Sequence, residues 1–176
     1  MPATTPTPDD NARLFLTLWP APRLRSELLA HQRTWRWQPG AALVYPEKLH
    51  LTLHFIGAVP RQRLASLMAE LKVPVTPFVL DFGQPALWHG GLAVLQPHAA
   101  PAGLLQLHEA LAQALQRLDL PGERATFRPH VTLARHAIGA QPPASPPLLR
   151  WPVQDYALVE SVAAPANSYR LLQRYT

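Results

Sequence analysis

The chain has 176 residues, 48% of them apolar, and a net charge of +5, figures that fit one domain with a substantial core. It contains no cysteine, which excludes disulfides and thiolate metal sites. No apolar run reaches the ~18 residues of a membrane span.

The positive charge is carried by 14 Arg and two Lys, Lys48 and Lys72. A basic surplus suits a polyanion such as nucleic acid. Scattered Arg in an Ala- and Pro-rich chain fits a compositional bias equally well. The 21 Pro predict many short elements with hard stops. Met1 to Asn11 is rich in Pro, Thr and Asp and lacks both the basic start and the apolar segment of a signal peptide. Residues 1–12 therefore read as a disordered tail, 13–176 as a single domain, and the cytoplasm as the expected location.

In chain order, Arg13 to Trp19 is a strand that Pro20 and Pro22 end, and Pro22 suits the first turn of a helix. That helix runs to about Trp35, with Leu24, Leu28 and His31 on one stripe. Ala41 to Tyr45 is a short edge strand or a loop, stopped by Pro46. A strand containing His50 follows and ends at Gly57. Arg61 to Leu71 is a helix with Leu64, Leu67, Met68 and Leu71 on one face. Phe78 to Phe82 and Pro85 to Trp88 read as strand pieces broken at Gly83, and His89-Gly90-Gly91 is a turn. Leu92 to Leu95 is a strand stopped by Pro97. Pro101 to Leu118 is the longest helix, buried through Leu104, Leu105, Leu107, Leu111, Leu115 and Leu118. A strand containing His130 follows, then a Pro-rich loop over Gly139 to Pro147. Val153 to Val162 and Ser168 to Tyr175 close the chain as two strands.

A repeat runs through this order. A strand, a Pro, a helix and a loop lead to His50-x-Thr52, and the same succession leads to His130-x-Thr132 over nearly the same length. Side chains on a strand alternate faces, so His50 and Thr52 point one way and Leu51 and Leu53 the other. His130 and Thr132 likewise oppose Val131 and Leu133. Two halves related by a pseudo-two-fold axis would bring both His/Thr faces to one cleft. The expected fold is α+β: two pseudo-symmetric lobes, antiparallel sheets lining a central cleft, and helices on the outer faces.

Two imidazoles facing one substrate can act as base and acid near neutral pH. The threonine hydroxyls can donate to an anion between them. A phosphodiester attacked by water or by a neighbouring hydroxyl fits this set without metal or cofactor, and Arg can stabilise charge at phosphorus. By parity His54 shares the face of His50, at the rim or lining of the cleft. A metal held by His50 and His54 is disfavoured, because that spacing converges on a helix and not on a strand. Arg128 has the parity of His130, which aims it at phosphate unless Pro129 breaks the alternation. Arg135 has the opposite parity, which leaves a structural role level with substrate binding. Trp88 and Tyr169 can stack a base, but core packing is the favoured reading of both.

The strings Leu14-Phe-Leu-Thr-Leu-Trp-Pro20, His50-Leu-Thr-Leu-His-Phe-Ile-Gly57, Leu87-Trp88 and Phe127-Arg-Pro-His-Val-Thr-Leu-Ala-Arg135 resemble the 2H phosphoesterase superfamily. Within it they are most similar to the RNA 2′,3′-cyclic phosphodiesterase family, also called the 2′-5′ RNA ligase or LigT-like family. The resemblance implies hydrolysis of a 2′,3′-cyclic phosphate at an RNA 3′ end to a 2′-phosphomonoester. It implies His50 as proton donor to the leaving 3′ oxygen and His130 as proton acceptor from water. Thr52, Thr132, Arg128 and Arg135 are the expected substrate contacts, with no metal and no cofactor. The partners are RNA ends or nucleotides bearing the cyclic phosphate, with no membrane, and a monomer is expected. Two alternatives stay open: 2′-5′ ligation as the main role, and a non-catalytic RNA-end binding module.

Overall fold

Leu51 and Val131, the apolar residues that follow the two histidines, are opposite one another in an antiparallel pair at the middle of one nine-stranded sheet. The computed structural model describes residues 10–122, 126–146 and 148–176. The main part of the expected N-terminal tail, residues 1–9, lies outside the described residues.

The strands are β1 (Asn11–Leu18), β2 (Ala42–Leu43), β3 (Leu51–Pro60), β4 (Phe78–Trp88), β5 (Leu92–Pro97), β6 (Val131–Arg135), β7 (Leu149–Val153), β8 (Tyr156–Val162) and β9 (Ser168–Tyr175). The helices are α1 (Pro22–Gln32), α2 (Leu64–Glu70) and α3 (Ala102–Arg117). The spatial order is β7-β4-β5-β6-β3-β1-β8-β9, with β2 paired to β6. All of these pairings are antiparallel. The expected two lobes are present as the two halves of this order, β3-β1-β8-β9 and β6-β5-β4-β7, joined into one open sheet by the Leu51–Val131 pair.

One face of the sheet carries the main core. Leu14, Leu16 and Leu18 of β1 point into it, as do Leu51 and Leu53 of β3 and Val131 and Leu133 of β6. The helices cover that face. The apolar stripe of α3 buries Leu104, Leu107, Leu111 and Leu115, while Leu105, one position round the helix from Leu104, is 48% exposed. α1 packs against β7, and α3 packs against β3 and β4. α1, which follows β1, thus leans on β7 of the other half, and α3, which follows β5, leans on β3. The opposite face holds a small cluster of Phe15, Ala157 and Val159, with Trp19 and Tyr169 packed beside it.

Three expected elements differ. Phe78 to Trp88 is one continuous strand, because the register steps across Gly83 between the Phe82–Pro97 and Gln84–Gln96 pairs. A side chain at Gly83 would collide with the His98 ring. β7 was not expected, because Pro152 interrupts its pattern; it is an edge strand, where a missing N–H is tolerated. The strand expected from Val153 to Val162 begins only at Tyr156.

Tyr156 joins β8 to the segment after α2. Its buried hydroxyl donates to Leu71 O at 2.6 Å and accepts from the Val73 N–H at 2.8 Å, and its ring stacks on Tyr175 at 4.8 Å. Tyr156→Phe leaves both backbone groups unpaired in an apolar site. Equilibrium denaturation by urea should show a loss of about 1–3 kcal/mol, the cost of stranding buried polar groups.

Candidate functional site

The Leu51–Val131 pair fixes the site. Both residues are fully buried in the core. Their chain neighbours therefore project from the other face, His50 beside Thr132 and Thr52 beside His130. All four line one cleft of about 630 Å³. The two histidines come from different halves of the sheet and meet diagonally across the pseudo-two-fold.

Both rings are anchored in the same way. His50 Nδ1–H donates to Lys48 O at 2.7 Å, and His130 Nδ1–H donates to Arg128 O at 2.7 Å. A carbonyl can only accept, so the proton on each Nδ1 is fixed and each Nε2 is left as the atom that titrates. At His50, Nε2 lies 2.9 Å from Thr52 Oγ1 and accepts from that hydroxyl when the ring is neutral. This carbonyl two residues upstream of each histidine is not legible in residue types.

Beyond the threonines strict alternation fails. The β1–β3 register passes from Thr17–Thr52 to Leu16–His54 and skips Leu53. The β5–β6 register passes from Val94–Thr132 to Ala93–Ala134 and skips Leu133. These are β-bulges at equivalent places in the two halves, and a bulge re-aims every side chain beyond it. Leu53 and His54 are both buried, and Phe55, 59% exposed, turns into the cleft. Leu133 and Ala134 are both buried, and Arg135 turns into the cleft.

The parity reading of His54 is therefore corrected. Its ring stacks on His108 of α3 at 4.0 Å, and its Nε2 lies 2.8 Å from His108 O on the helix side of the sheet. Arg135, which parity turned away, faces the histidines. No residue pattern marks Phe55 as a cleft residue, because the bulge that exposes it is set by pairing with β1. Gln32 holds the second bulge from beneath, donating through Nε2 to Leu133 O at 2.8 Å and to Val44 O at 2.9 Å.

Arg128 does not line the cleft. Its Cζ lies 3.9 Å over the Trp88 ring, and Trp88 packs 4.6 Å from His130. A parallel stack stands behind His50: Arg25 Cζ is 5.0 Å over Trp19, and Trp19 lies 6.0 Å from His50 at an interplanar angle of 23°. Arg25 also donates to the carbonyls of Pro46, Leu49 and Pro20, which clamps the turn that leads into His50. Tyr169 meets the His50 ring edge-on at 5.5 Å and lines the cleft. The core reading of Trp88 and Tyr169 is thus replaced by packing against the two histidines.

Burial holds both imidazoles below their ordinary range. His50 is pushed down to about 4; desolvation is the main cause, the Lys48 carbonyl opposes it, and the charges of His130, Arg25 and Arg135 add to it. His130 is lowered chiefly by burial, against the Arg128 carbonyl and with the Arg128 and Arg135 charges. In the empty cleft both are neutral at pH 7. Among the described residues no cluster of three or more His, Asp or Glu is placed to hold a metal ion. The arrangement offers two aimed Nε2 atoms, two hydroxyls and a guanidinium to one small anion.

The sequence model of a family described as the 2′-5′ RNA ligase superfamily matches residues 21–162. The RNA 2′,3′-cyclic phosphodiesterase of Thermus thermophilus is 31% identical, over 93% of this chain and 89% of that protein. The RNA 2′,3′-cyclic phosphodiesterase of Escherichia coli is 30% identical, over 93% and 92%. The crystal structure of E. coli LigT complexed with 3′-AMP superposes with a TM-score of 0.82 at 25% identity, covering 93% of this chain and 97% of that one.

The anchoring and the stacks have a direct spectroscopic consequence. In a heteronuclear NMR titration of the ligand-free protein, His50 should change protonation near pH 4. In Arg25→Met one of the charges that disfavour the imidazolium is gone, so the His50 midpoint should move upward. An unchanged midpoint would separate the Arg25–Trp19 stack from the electrostatics of His50.

Proposed function

The chain belongs to the 2′-5′ RNA ligase superfamily, and on that premise we propose that it hydrolyses 2′,3′-cyclic phosphates at RNA 3′ ends to 2′-phosphomonoesters. One observation carries the reading: two histidines with matched Nδ1 anchors direct their Nε2 atoms into a single cleft that Arg135 also enters. The unit over residues 13–176 acts as one domain, since each half supplies one histidine, and the reading places it in the cytoplasm.

The division of labour follows the family resemblance. Neutral His130 Nε2 takes a proton from water as its oxygen attacks phosphorus. The bond from phosphorus to O3′ breaks, and His50 Nε2 gives that oxygen a proton. The 2′-phosphomonoester and the 3′-hydroxyl remain, and His130 returns its proton to solvent while His50 regains one. Thr52 and Thr132 donate to phosphate oxygens, and Arg135 stabilises the charge that builds on them. Arg128 acts from behind, where its carbonyl orients His130. Phe55 presents an exposed ring on which the terminal base can stack. No step calls for a metal ion.

The proton donor is the group that burial keeps neutral, so substrate has to recharge it. A cyclic phosphate is an anion, and an anion beside an imidazole favours its protonated form. Binding thus raises His50 out of the range it has in the empty cleft. The free enzyme binds its working proton only weakly above about pH 4, the value to which burial lowers His50. As pH rises beyond neutrality, kcat/KM should fall by about tenfold per unit, because it reports the free enzyme. The corresponding limb of kcat should lie at higher pH, because it reports the complex.

Purified protein should open a cyclic-phosphate RNA end in EDTA, and phosphorus NMR should identify a 2′-phosphate. His50→Ala and His130→Ala should each lower kcat by about 10²–10⁴-fold, the contribution of one positioned proton transfer. Full activity in His130→Ala, or loss of wild-type activity in EDTA, would overturn the two-histidine mechanism. Binding of RNA ends with no turnover would make the chain a binding module.

A further inference from the structure

Away from the histidines, the cleft face of β1 presents Phe15 and then Arg13, which share that face because β1 pairs with β8 without a register break there. Arg13 stands opposite Ser161, and Ser161 stands opposite Tyr169 on β9. Lys48 places its Nζ 5.0 Å from the centre of the Tyr169 ring. Two cations and two hydroxyls therefore line this part of the cleft, and among the described residues no carboxylate lines it. The nearest acid in sequence, Glu160, is buried on the other face and bonded to Arg61 and Arg170. Among the described residues, neither the Arg13 guanidinium nor the hydroxyls of Ser161 and Tyr169 have a protein hydrogen-bond partner.

Tyr169 joins this corner to the reacting centre, its ring 5.5 Å from that of His50, and Arg13 extends the corner along β1 away from the histidines. Arg135 is among the charges that lower both histidines, which places it at the reacting centre. Phe15 lies 5.0 Å from His50 between ring centres, and Arg13 is two residues further, roughly 6.6 Å along the strand. That separation is on the scale of one backbone repeat of an extended RNA strand.

We propose that Arg13, Ser161, Tyr169 and Lys48 form a second phosphate subsite, which takes the phosphodiester immediately 5′ of the terminal nucleotide. The inference rests on the hydrolase reading above and narrows its substrate class to ends of RNA chains in preference to cyclic mononucleotides. A charged linkage gains charge-assisted hydrogen bonds from donors that are otherwise unused. A mononucleotide leaves the corner empty.

The test compares three substrates: a 2′,3′-cyclic mononucleotide, the dinucleotide that extends it by one residue, and the same dinucleotide with a neutral methylphosphonate linkage. Wild-type kcat/KM should be about tenfold higher on the charged dinucleotide than on the other two, the size of one charge-assisted contact. Arg13→Gln, at an exposed position, should erase that advantage and leave the mononucleotide rate unchanged. Equal wild-type rates on charged and neutral dinucleotides, or an equal loss on all three in Arg13→Gln, would overturn the subsite. Calorimetric binding of the corresponding 2′-phosphate products gives an arm that needs no turnover. Preference there for the charged linkage, lost in Arg13→Gln, supports the subsite even if hydrolysis fails, and its absence counts against the subsite alone.

Discussion

A single antiparallel contact, Leu51 against Val131, sets the positions of everything chemical in this protein. Both side chains are driven into the core by the gain from burying apolar surface. The pleat then leaves their neighbours no choice of face. Because each apolar residue is flanked by His and Thr, burying the pair brings two imidazoles and two hydroxyls together on the opposite side. The helices that cross from one half to the other hold the two halves in this relation, so the site's geometry is a property of the core.

The second constraint is the pair of bulges. Without them the strands would continue to alternate, and His54 would share the cleft with His50 while Arg135 turned away. One skipped residue in each half reverses that outcome. His54 is then a packing residue beneath the sheet, and Phe55 and Arg135 occupy equivalent positions on the cleft face. One half contributes an aromatic ring and the other a guanidinium, so a symmetric scaffold becomes a site with two different ends.

The third is an electrostatic compromise. Burial and nearby cations hold both histidines neutral in the empty cleft. A neutral imidazole suits a base and not an acid. On the proposed hydrolase reading, an anion that enters resolves the conflict, because its charge favours protonation of the ring proposed to donate. The Nδ1 anchors matter here, since a fixed proton on one nitrogen confines all titration to the other. An Arg–Trp stack packs behind each histidine, and the Arg25 and Arg128 charges add to the burial that disfavours the protonated rings.

Much of this was written in residue types. The two His-x-Thr strands, the helices that follow Pro20 and Pro97, and the α+β class all follow from short-range periodicity and from the fixed dihedral of proline. Alternation was reliable as far as Thr52 and Thr132, because up to there each strand keeps its own period. It failed at His54 and Arg135, and the strand Leu149–Val153 was hidden by Pro152. A bulge and an edge strand are relations between neighbours, decided by which partner pairs with which residue, and no local pattern encodes that choice. The residue types thus determined which groups are proposed to do the chemistry, and the tertiary structure decided which of their neighbours face them, because register is set by packing across the sheet and not along it.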